Sequence, residues 1–246
     1  MQIIISPTKQ MQVDTDTFLP QGLPRYLPEA QTLLRRLQSL DYAQAKALWQ
    51  CSDKLAQPNF ARLQTMALTQ QLTPAILAFV GIQYRYMAPD LFTAPALAYI
   101  QAYLRILSGF YGSLRPFDGI VPYRLELGAR LAVAQAPDLY AFWGDTLYAS
   151  LDWSQPVLNL ASQEYAKAIT PYLQPQDRLI TVVFGQYVNG KIKTRATLAK
   201  MARGQMVRYL AENNVTTLTG VTRFDHPDYR FAPDLSHPDR LVFLHQ

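Results

Sequence analysis

Short apolar runs and amphipathic helical segments alternate along the whole chain, and this alternation restricts its fold more than any other feature. The apolar runs Gln2–Ser6, Val157–Ala161 and Arg178–Phe184 predict buried strands. A strand that is apolar on both faces is typical of a central position in a parallel sheet that helices cover. Helical spacing is clear in Pro28–Leu40 and Arg195–Asn213. The pattern therefore predicts a mixed α/β fold with a mixed central sheet and surrounding helices.

Local signals refine this outline. The spacing of leucines predicts a helix from Pro95 to Leu107, and Pro58 is expected to interrupt the helix that Ser52 caps. Asn189-Gly190 is the sequence of a type I′ turn and predicts a tight hairpin. Val215–Val221 is expected to be a strand. Because no linker, internal repeat or break in composition divides the chain, we expect a single domain spanning all 246 residues.

The composition excludes several classes of protein. Apolar residues make up 49% of the chain, which is enough for a sizeable core. A single cysteine permits no intrachain disulfide and fits a reducing compartment. No basic leader and no apolar run of about 20 residues is present, so we expect a cytoplasmic protein without a membrane partner. No dinucleotide, Walker A or catalytic motif appears, and the three histidines have no cysteine partners. We therefore expect no cofactor and no metal, and predict no protein partner.

Positive charge is concentrated in one part of the chain. Residues 178–223 contain eight lysines and arginines and one acid, Glu212. At about 100° per residue, the long helix places Lys200, Arg203, Gly204 and Arg208 together, opposite an apolar face. The bases of the preceding hairpin would extend this surface. The cluster favours a polyanion, and double-stranded DNA over a membrane, whereas an ordinary solvated helix with a glycine chosen for close packing is the alternative.

The segment Leu107–Gly128 mixes glycines, prolines, aromatic residues and charges. Backbone amides of the turn from Gly109 to Gly112 are candidates to bind phosphate, or the two glycines simply end a helix. Arg115 and Asp118 are three residues apart, as are Tyr123 and Glu126. Such charges form either an ion-pair network that stiffens the loop or a preorganised binding site.

Six motifs, taken in order, resemble the YaaA peroxide-stress protein family. They are ISPTK at 5–9, SDKLA at 52–56, the whole of 107–128, LYAFWGD at 139–145, NLASQEY at 159–165 and KMARGQM at 200–206. The resemblance spans nearly the whole chain. It implies a bacterial cytosolic protein, a compact single α/β domain with a positively charged cleft, and resistance to hydrogen peroxide through lowered free iron. It also implies binding to double-stranded DNA and a helix-hairpin-helix element, which would be Leu107–Leu114 here.

Two features of the sequence depart from the family pattern. Ile82 stands where the family usually has an acidic residue. Pro116, Gly119 and Pro122 disfavour a long helix after the hairpin.

The candidate site residues are bases, small residues and aromatic residues that could meet a nucleic acid or another anion, together with acid–base or supporting groups. The first group is Lys9, Lys54, Gly109, Tyr111, Gly112, Arg115, Tyr123, Arg124, Lys193, Lys200, Arg203, Gly204 and Arg208. The second group is Asp118, Glu126, Asn159, Ser162 and Glu164.

Two other functions remain open beside DNA binding. One is an enzyme that acts on a nucleobase or nucleotide, with Lys9 as nucleophile or phosphate ligand and Asp118, Glu126 or Glu164 as the acid–base group. In that case Tyr111 or Tyr123 would stack on the base, and Lys9, Arg115 and Arg124 would meet in one pocket. The other is direct binding of iron, for which the sequence shows no carboxylate–histidine cluster.

Overall fold

A computed structural model describes all 246 residues, which form twelve strands and eleven α-helices. The strands are β1 (Gln2–Ile5), β2 (Gln10–Met11), β3 (Thr73–Pro74), β4 (Phe79–Val80), β5 (Leu104–Ser108), β6 (Gly112–Leu114), β7 (Gly119–Ile120), β8 (Val157–Asn159), β9 (Leu179–Val188), β10 (Lys191–Lys193), β11 (Tyr229–Phe231) and β12 (Arg240–His245). The helices are α1 (Leu27–Gln38), α2 (Tyr42–Trp49), α3 (Asp53–Thr65), α4 (Ala75–Ala78), α5 (Ile82–Met87), α6 (Ala94–Tyr103), α7 (Leu139–Trp143), α8 (Thr146–Ala149), α9 (Gln163–Ala166), α10 (Ala196–Glu212) and α11 (Leu218–Thr222).

Eight strands form the central sheet, in the order β11-β12-β9-β8-β1-β5-β6 with β10 paired to β9. The pairs β1–β5, β1–β8, β8–β9 and β9–β12 are parallel. The pairs β5–β6, β9–β10 and β11–β12 are antiparallel. The strands β2–β4 and β3–β7 form two small ribbons outside this sheet. The predicted mixed α/β fold is thus confirmed, with a mostly parallel sheet.

Burial explains why the apolar runs became central strands. Ile3, Ile4 and Ile5 of β1 have no exposed surface, so both faces of this strand are covered. One core cluster of 64 buried residues extends from Met1 to Phe243 and includes side chains from the sheet and from the helices around it. All main elements therefore share one core.

The chain order creates a crevice at one edge of the sheet. From β1 the chain continues to β5 on one side, and it later returns to β8 on the other side of β1. The loops after β1 and β8 therefore leave in opposite directions. In open α/β sheets ligands bind outside the carboxyl ends of the strands at such a switch point.

The glycine-containing hairpin and the long helix are confirmed. Asn189 and Gly190 have φ angles of 52° and 75°, the left-handed values that a type I′ turn requires, and they join β9 to β10. The helix predicted over Arg195–Asn213 is α10, residues Ala196–Glu212.

Three local predictions were wrong. The helix expected to reach Leu107 ends at Tyr103, because the next five residues pair with β1 as strand β5. Val215–Val221 is not a strand, since Leu218–Thr222 forms α11. Pro58 lies inside α3 without ending it, because Pro58 is exposed and the carbonyl that its ring leaves unbonded can face water.

The helix-hairpin-helix assignment was also wrong. Leu107–Leu114 is the end of β5, a turn, and β6, which is a β-hairpin. Ile106 pairs with Leu114 and Ser108 with Gly112 across this hairpin. Residues Leu104–Ser108 pair with β1 as strand β5, so they cannot form the first helix of a helix-hairpin-helix.

Candidate functional site

A cleft of about 490 Å³ lies at the carboxyl ends of β1 and β8. Residues 6–10 follow β1 and form one wall, and Ser162–Tyr165 at the start of α9 continue it. Residues 80–83 and 123–126 form the other sides, with two bases from α10. The crevice expected from the strand order is therefore open and lined with polar groups.

Serine hydrogen bonds hold the two strand-end loops together. The backbone N–H of Ser162 donates to Oγ of Ser6 at 2.8 Å, and the Tyr84 hydroxyl donates to the Ser6 carbonyl at 3.0 Å. Asn159, at the end of β8, accepts from Ala161 N–H at 2.9 Å and is only 4% exposed. Ser162 thus lines the cleft, whereas Asn159 shapes the loop beneath it.

Three of the four acid–base candidates lie together, namely Lys9, Glu126 and Glu164. Nζ of Lys9 lies 2.6 Å from Oε2 of Glu126. Glu164 accepts a hydrogen bond from Gly128 N–H at 2.8 Å. A second cavity of about 270 Å³ is bounded by the same three side chains and by Trp49. Asp118 is the exception, because it lies outside both cavities.

Three bases of the cleft have no acidic partner. The structure contains five ion pairs, and none includes Arg124, Lys200 or Arg203. The Nε atoms of Arg124 and Arg203 are buried without any hydrogen-bond partner. Burial lowers the pKa of Arg203 from its usual value, because no carboxylate compensates the loss of water around it. No carboxylate of the protein therefore competes with an anionic ligand for these three side chains.

The two aromatic candidates, Tyr111 and Tyr123, belong to the buried core. Tyr111 has no exposed surface and its hydroxyl accepts from Val121 N–H at 3.2 Å, so it cannot stack on a base. Tyr123 borders the cleft, yet its ring stacks on Phe110 with centroids 5.0 Å apart. Its hydroxyl is 2.7 Å from Oγ of Ser108, and burial raises the pKa of Tyr123. Only a small part of Tyr123 reaches the cleft.

Several predicted anion-binding residues lie elsewhere. Gly109 and Gly112 are buried, and the amides of the turn between them donate to Ser108 Oγ, so no phosphate can reach them. Arg115 pairs with Asp118 away from the cleft, so the prediction that it meets Lys9 and Arg124 in one pocket was wrong. The remaining three, all outside the cleft, are Lys54 on α3, Lys193 on β10 and Arg208, which pairs with Glu212 at 2.9 Å.

Gly204 serves helix packing and does not contact a ligand. A Cβ at this position would overlap the carbonyl oxygen of Gln83 and come within 3.0 Å of Met87 N. The expected approach of a phosphate backbone is therefore wrong, and the alternative of close packing is correct. This contact brings α10 directly against α5.

Sequence reasoning missed Gln83. This residue is only 6% exposed, lines the cleft, and has an amide Nε2 without a partner. The signal was present, because Gly81, Ile82 and Gln83 belong to the motif in which Ile82 departs from the family pattern.

No group of three or more His, Cys, Asp or Glu side chains lies close enough together to hold a metal ion. None of the helices has the length and apolar character that crossing a membrane requires.

Comparison with known proteins places the chain in a family. A family model described as peroxide stress protein YaaA matches residues 1–235. A UPF0246 protein of Lactiplantibacillus plantarum is 61% identical over 247 residues, with 100% of each chain covered. UPF0246 proteins of Pediococcus pentosaceus and Agathobacter rectalis are 53% and 46% identical, with 99% of this chain and 98% of each relative covered. The chain, with its cleft at the ends of β1 and β8, belongs to the YaaA family of peroxide stress proteins.

Proposed function

We propose that this protein acts in the cytoplasm against peroxide stress by binding double-stranded DNA. The observation that carries the proposal is a group of four exposed bases on β10 and the start of α10, called here the hairpin surface: Lys191, Lys193, Arg195 and Lys200. None of them has an acidic partner. Such a surface favours the phosphate backbone and gives affinity with little sequence preference.

The fold supports a common orientation for these bases and the cleft. β9 runs parallel to β8, so its carboxyl end and the turn to β10 project from the edge of the sheet where the cleft opens. Lys200, in the second turn of α10, borders the cleft itself. The positive charge that the resemblance implies for the cleft would thus continue onto the hairpin. DNA would be held by side chains of this surface, with no contribution from a helix-hairpin-helix.

Duplex DNA titrated at increasing salt concentration tests this proposal. Log affinity of the wild type should fall linearly with log salt, with a slope of roughly 0.9 per phosphate contact. A triple variant with Lys191→Ala, Lys193→Ala and Arg195→Ala should bind at least about tenfold more weakly, with a shallower slope. A matched triple variant with Arg35→Ala, Arg62→Ala and Arg178→Ala loses the same charge from other exposed positions. Equal losses in both variants, or no salt dependence, would contradict the proposal.

We also propose that DNA binding is the route by which the protein protects cells and lowers free iron. The support is the family membership together with the hairpin surface. A strain without the protein would be complemented with the wild type or the triple hairpin variant. Survival in hydrogen peroxide and free iron measured by electron paramagnetic resonance should recover only with the wild type. Full recovery with the variant would separate protection from DNA binding.

A second candidate, an enzyme acting on a nucleobase or nucleotide, is favoured by the Lys9–Glu126 pair inside the cleft. The volume of about 490 Å³ lies within the range typical of small-molecule sites. Lys9 would serve as nucleophile or phosphate ligand and Glu126 or Glu164 as the acid–base group. Mass spectrometry of nucleotides and DNA incubated with wild type, Lys9→Met or the control Lys54→Met tests it. Identical products from all three would exclude it.

A further inference from the structure

We infer that the cleft contains a preformed seat for the phosphate of a mononucleotide-sized ligand. The seat consists of the Gln83 amide on α5, the Arg203 guanidinium on α10 and Arg124 in the loop after β7, and all three residues line the cleft. The inference rests on the proposed role of the cleft as an anion site, but it does not need the hairpin surface.

Unpartnered donors are the first argument. Native proteins pair nearly all of their buried polar atoms, so each exception needs a reason. Six buried side-chain nitrogens of this protein have no partner, and three of them belong to residues that line this one cleft: Gln83 Nε2, Arg124 Nε and Arg203 Nε. Gln83 is 6% exposed, lines the cleft, and its Nε2 donates to no acceptor of the protein. A ligand rich in acceptor oxygens would satisfy all three donors.

Helix packing supplies the rigidity of the seat. Gly204 presses against the backbone of Gln83 and Met87, which leaves no space for a side chain between α5 and α10. Arg203, the neighbour of Gly204, therefore borders the same cleft as Gln83. Donors fixed on two packed helices need little rearrangement when an anion arrives.

Charge defines the ligand class. Arg124, Lys200 and Arg203 line the cleft without an acidic partner, so an anionic group is favoured there. Glu126 and Glu164 border the cleft as well, and their oxygens can accept hydrogen bonds from hydroxyl or amino groups. A phosphate joined to a body with hydroxyl and amino donors matches both features. A nucleoside monophosphate has this chemistry, either free or as the phosphorylated end of a DNA strand.

Isothermal titration calorimetry with AMP, dTMP, adenosine and inorganic phosphate tests the seat. The wild type should bind the monophosphates, inorganic phosphate should compete, and adenosine should bind at least about tenfold more weakly. Arg203→Met should weaken AMP binding about 100-fold and Gln83→Leu about tenfold, because each removes donors at similar side-chain size. Arg208→Met is the control on the same helix and should bind like the wild type.

The possible results are distinct. Absence of monophosphate binding in a wild-type protein that still binds duplex DNA would overturn the seat alone. Equal affinities of Arg203→Met, Gln83→Leu and the control would overturn it too. Monophosphate binding that survives in the triple hairpin variant, while duplex binding is lost, would support the seat independently of the DNA surface. If Arg203→Met fails to fold, thermal unfolding of the wild type and Gln83→Leu is measured with and without AMP instead. AMP should raise the melting temperature of the wild type, and the rise should be smaller for Gln83→Leu. Equal rises in the two proteins would overturn the seat.

Oligonucleotides separate the two sources of the phosphate. A strand with a 5′-phosphate that binds more tightly than the same strand with a 5′-hydroxyl would identify the end of DNA as the ligand. Tight AMP binding without a difference between the two strands would identify a free nucleotide. Both results support the shared chemistry of the seat.

Discussion

The two halves of the segment Leu107–Gly128 have similar residue types and different roles. The first half, Leu107–Asp118, is a buried hairpin whose polar groups bond to one another. Ser108 Oγ accepts from the N–H groups of Phe110 and Tyr111 at 3.1 and 2.9 Å. Asp118 is 2% exposed and accepts from the backbone N–H and Nε of Arg115 at 2.8 and 3.1 Å. No residue of this half borders the cleft.

The second half, Tyr123–Gly128, has unsatisfied groups and faces the cleft. Nε of Arg124 has no partner, and Glu126 is bonded only to Lys9 from another loop. Arg115 and Arg124 are nine residues apart in one loop, yet one stiffens the fold and the other borders the candidate site. The comparison teaches that hydrogen-bond satisfaction, more than residue type, separates structure from site.

The largest effect is expected where the two halves touch. A Cβ on Gly109 would lie 2.8 Å from Leu127 N and 2.9 Å from Leu125 O, both backbone atoms. Gly109→Ala should therefore lower the free energy of unfolding by about 3 kcal/mol. It should also weaken AMP binding, because Leu125–Leu127 must move. Urea unfolding and calorimetry measure the two effects.

Gly22→Ala is the matched control for this substitution. The nearest heavy atom to its Cβ would be Nη2 of Arg115 at 3.8 Å, an ordinary contact. Its unfolding free energy should change by less than about 0.5 kcal/mol. Wild-type stability of Gly109→Ala would show that the two halves are not in rigid contact and would break the comparison.

A smaller loss is expected within the first half. Ser108→Ala removes the acceptor of two buried N–H groups and the partner of the Tyr123 hydroxyl. The unfolding free energy should fall by about 2 kcal/mol, since buried donors without acceptors retain their desolvation cost. Ser113→Ala on the facing strand is the control, because the Ser113 side chain makes no hydrogen bond in the structure. Equal stability of the two variants would mean that the hairpin does not depend on this acceptor.

Much of the fold was readable from the sequence because its signals are local. The apolar runs of β1, β8 and β9 and the Asn189-Gly190 turn needed only neighbouring residues. Leu104–Ser108 was misread because its apolar residues fit a helix and a strand equally well over so short a run. Whether this segment forms a helix or a strand depends on its parallel partner β1, about a hundred residues earlier, where Ile5 lies opposite Ile106. No local pattern contains that information.

The candidate site was readable only in part. Lys9, Glu126 and Glu164 were predicted and do border one cleft, because strand-end loops in α/β folds gather polar residues. Gln83 was missed because its place depends on the contact between α5 and Gly204. Arg203 was predicted as an exposed base, yet its Nε is buried. The packing of α10 against α5, which no local sequence pattern reveals, places Gln83 at the cleft.

The smallest change in stability is expected in the second half, at the pair of Lys9 and Glu126. Lys9 is 61% exposed, and an ion pair of this kind contributes at most about 0.5 kcal/mol to stability. Lys9→Met should therefore unfold at nearly the wild-type urea concentration but bind AMP about tenfold more weakly, because a charged donor is lost from the cleft. Lys46→Met breaks an ion pair of similar length with Asp53, outside the cleft, and should change neither quantity appreciably. A Lys9 variant that loses stability and keeps AMP affinity would reverse the assignment, since the second half would then be structural like the first.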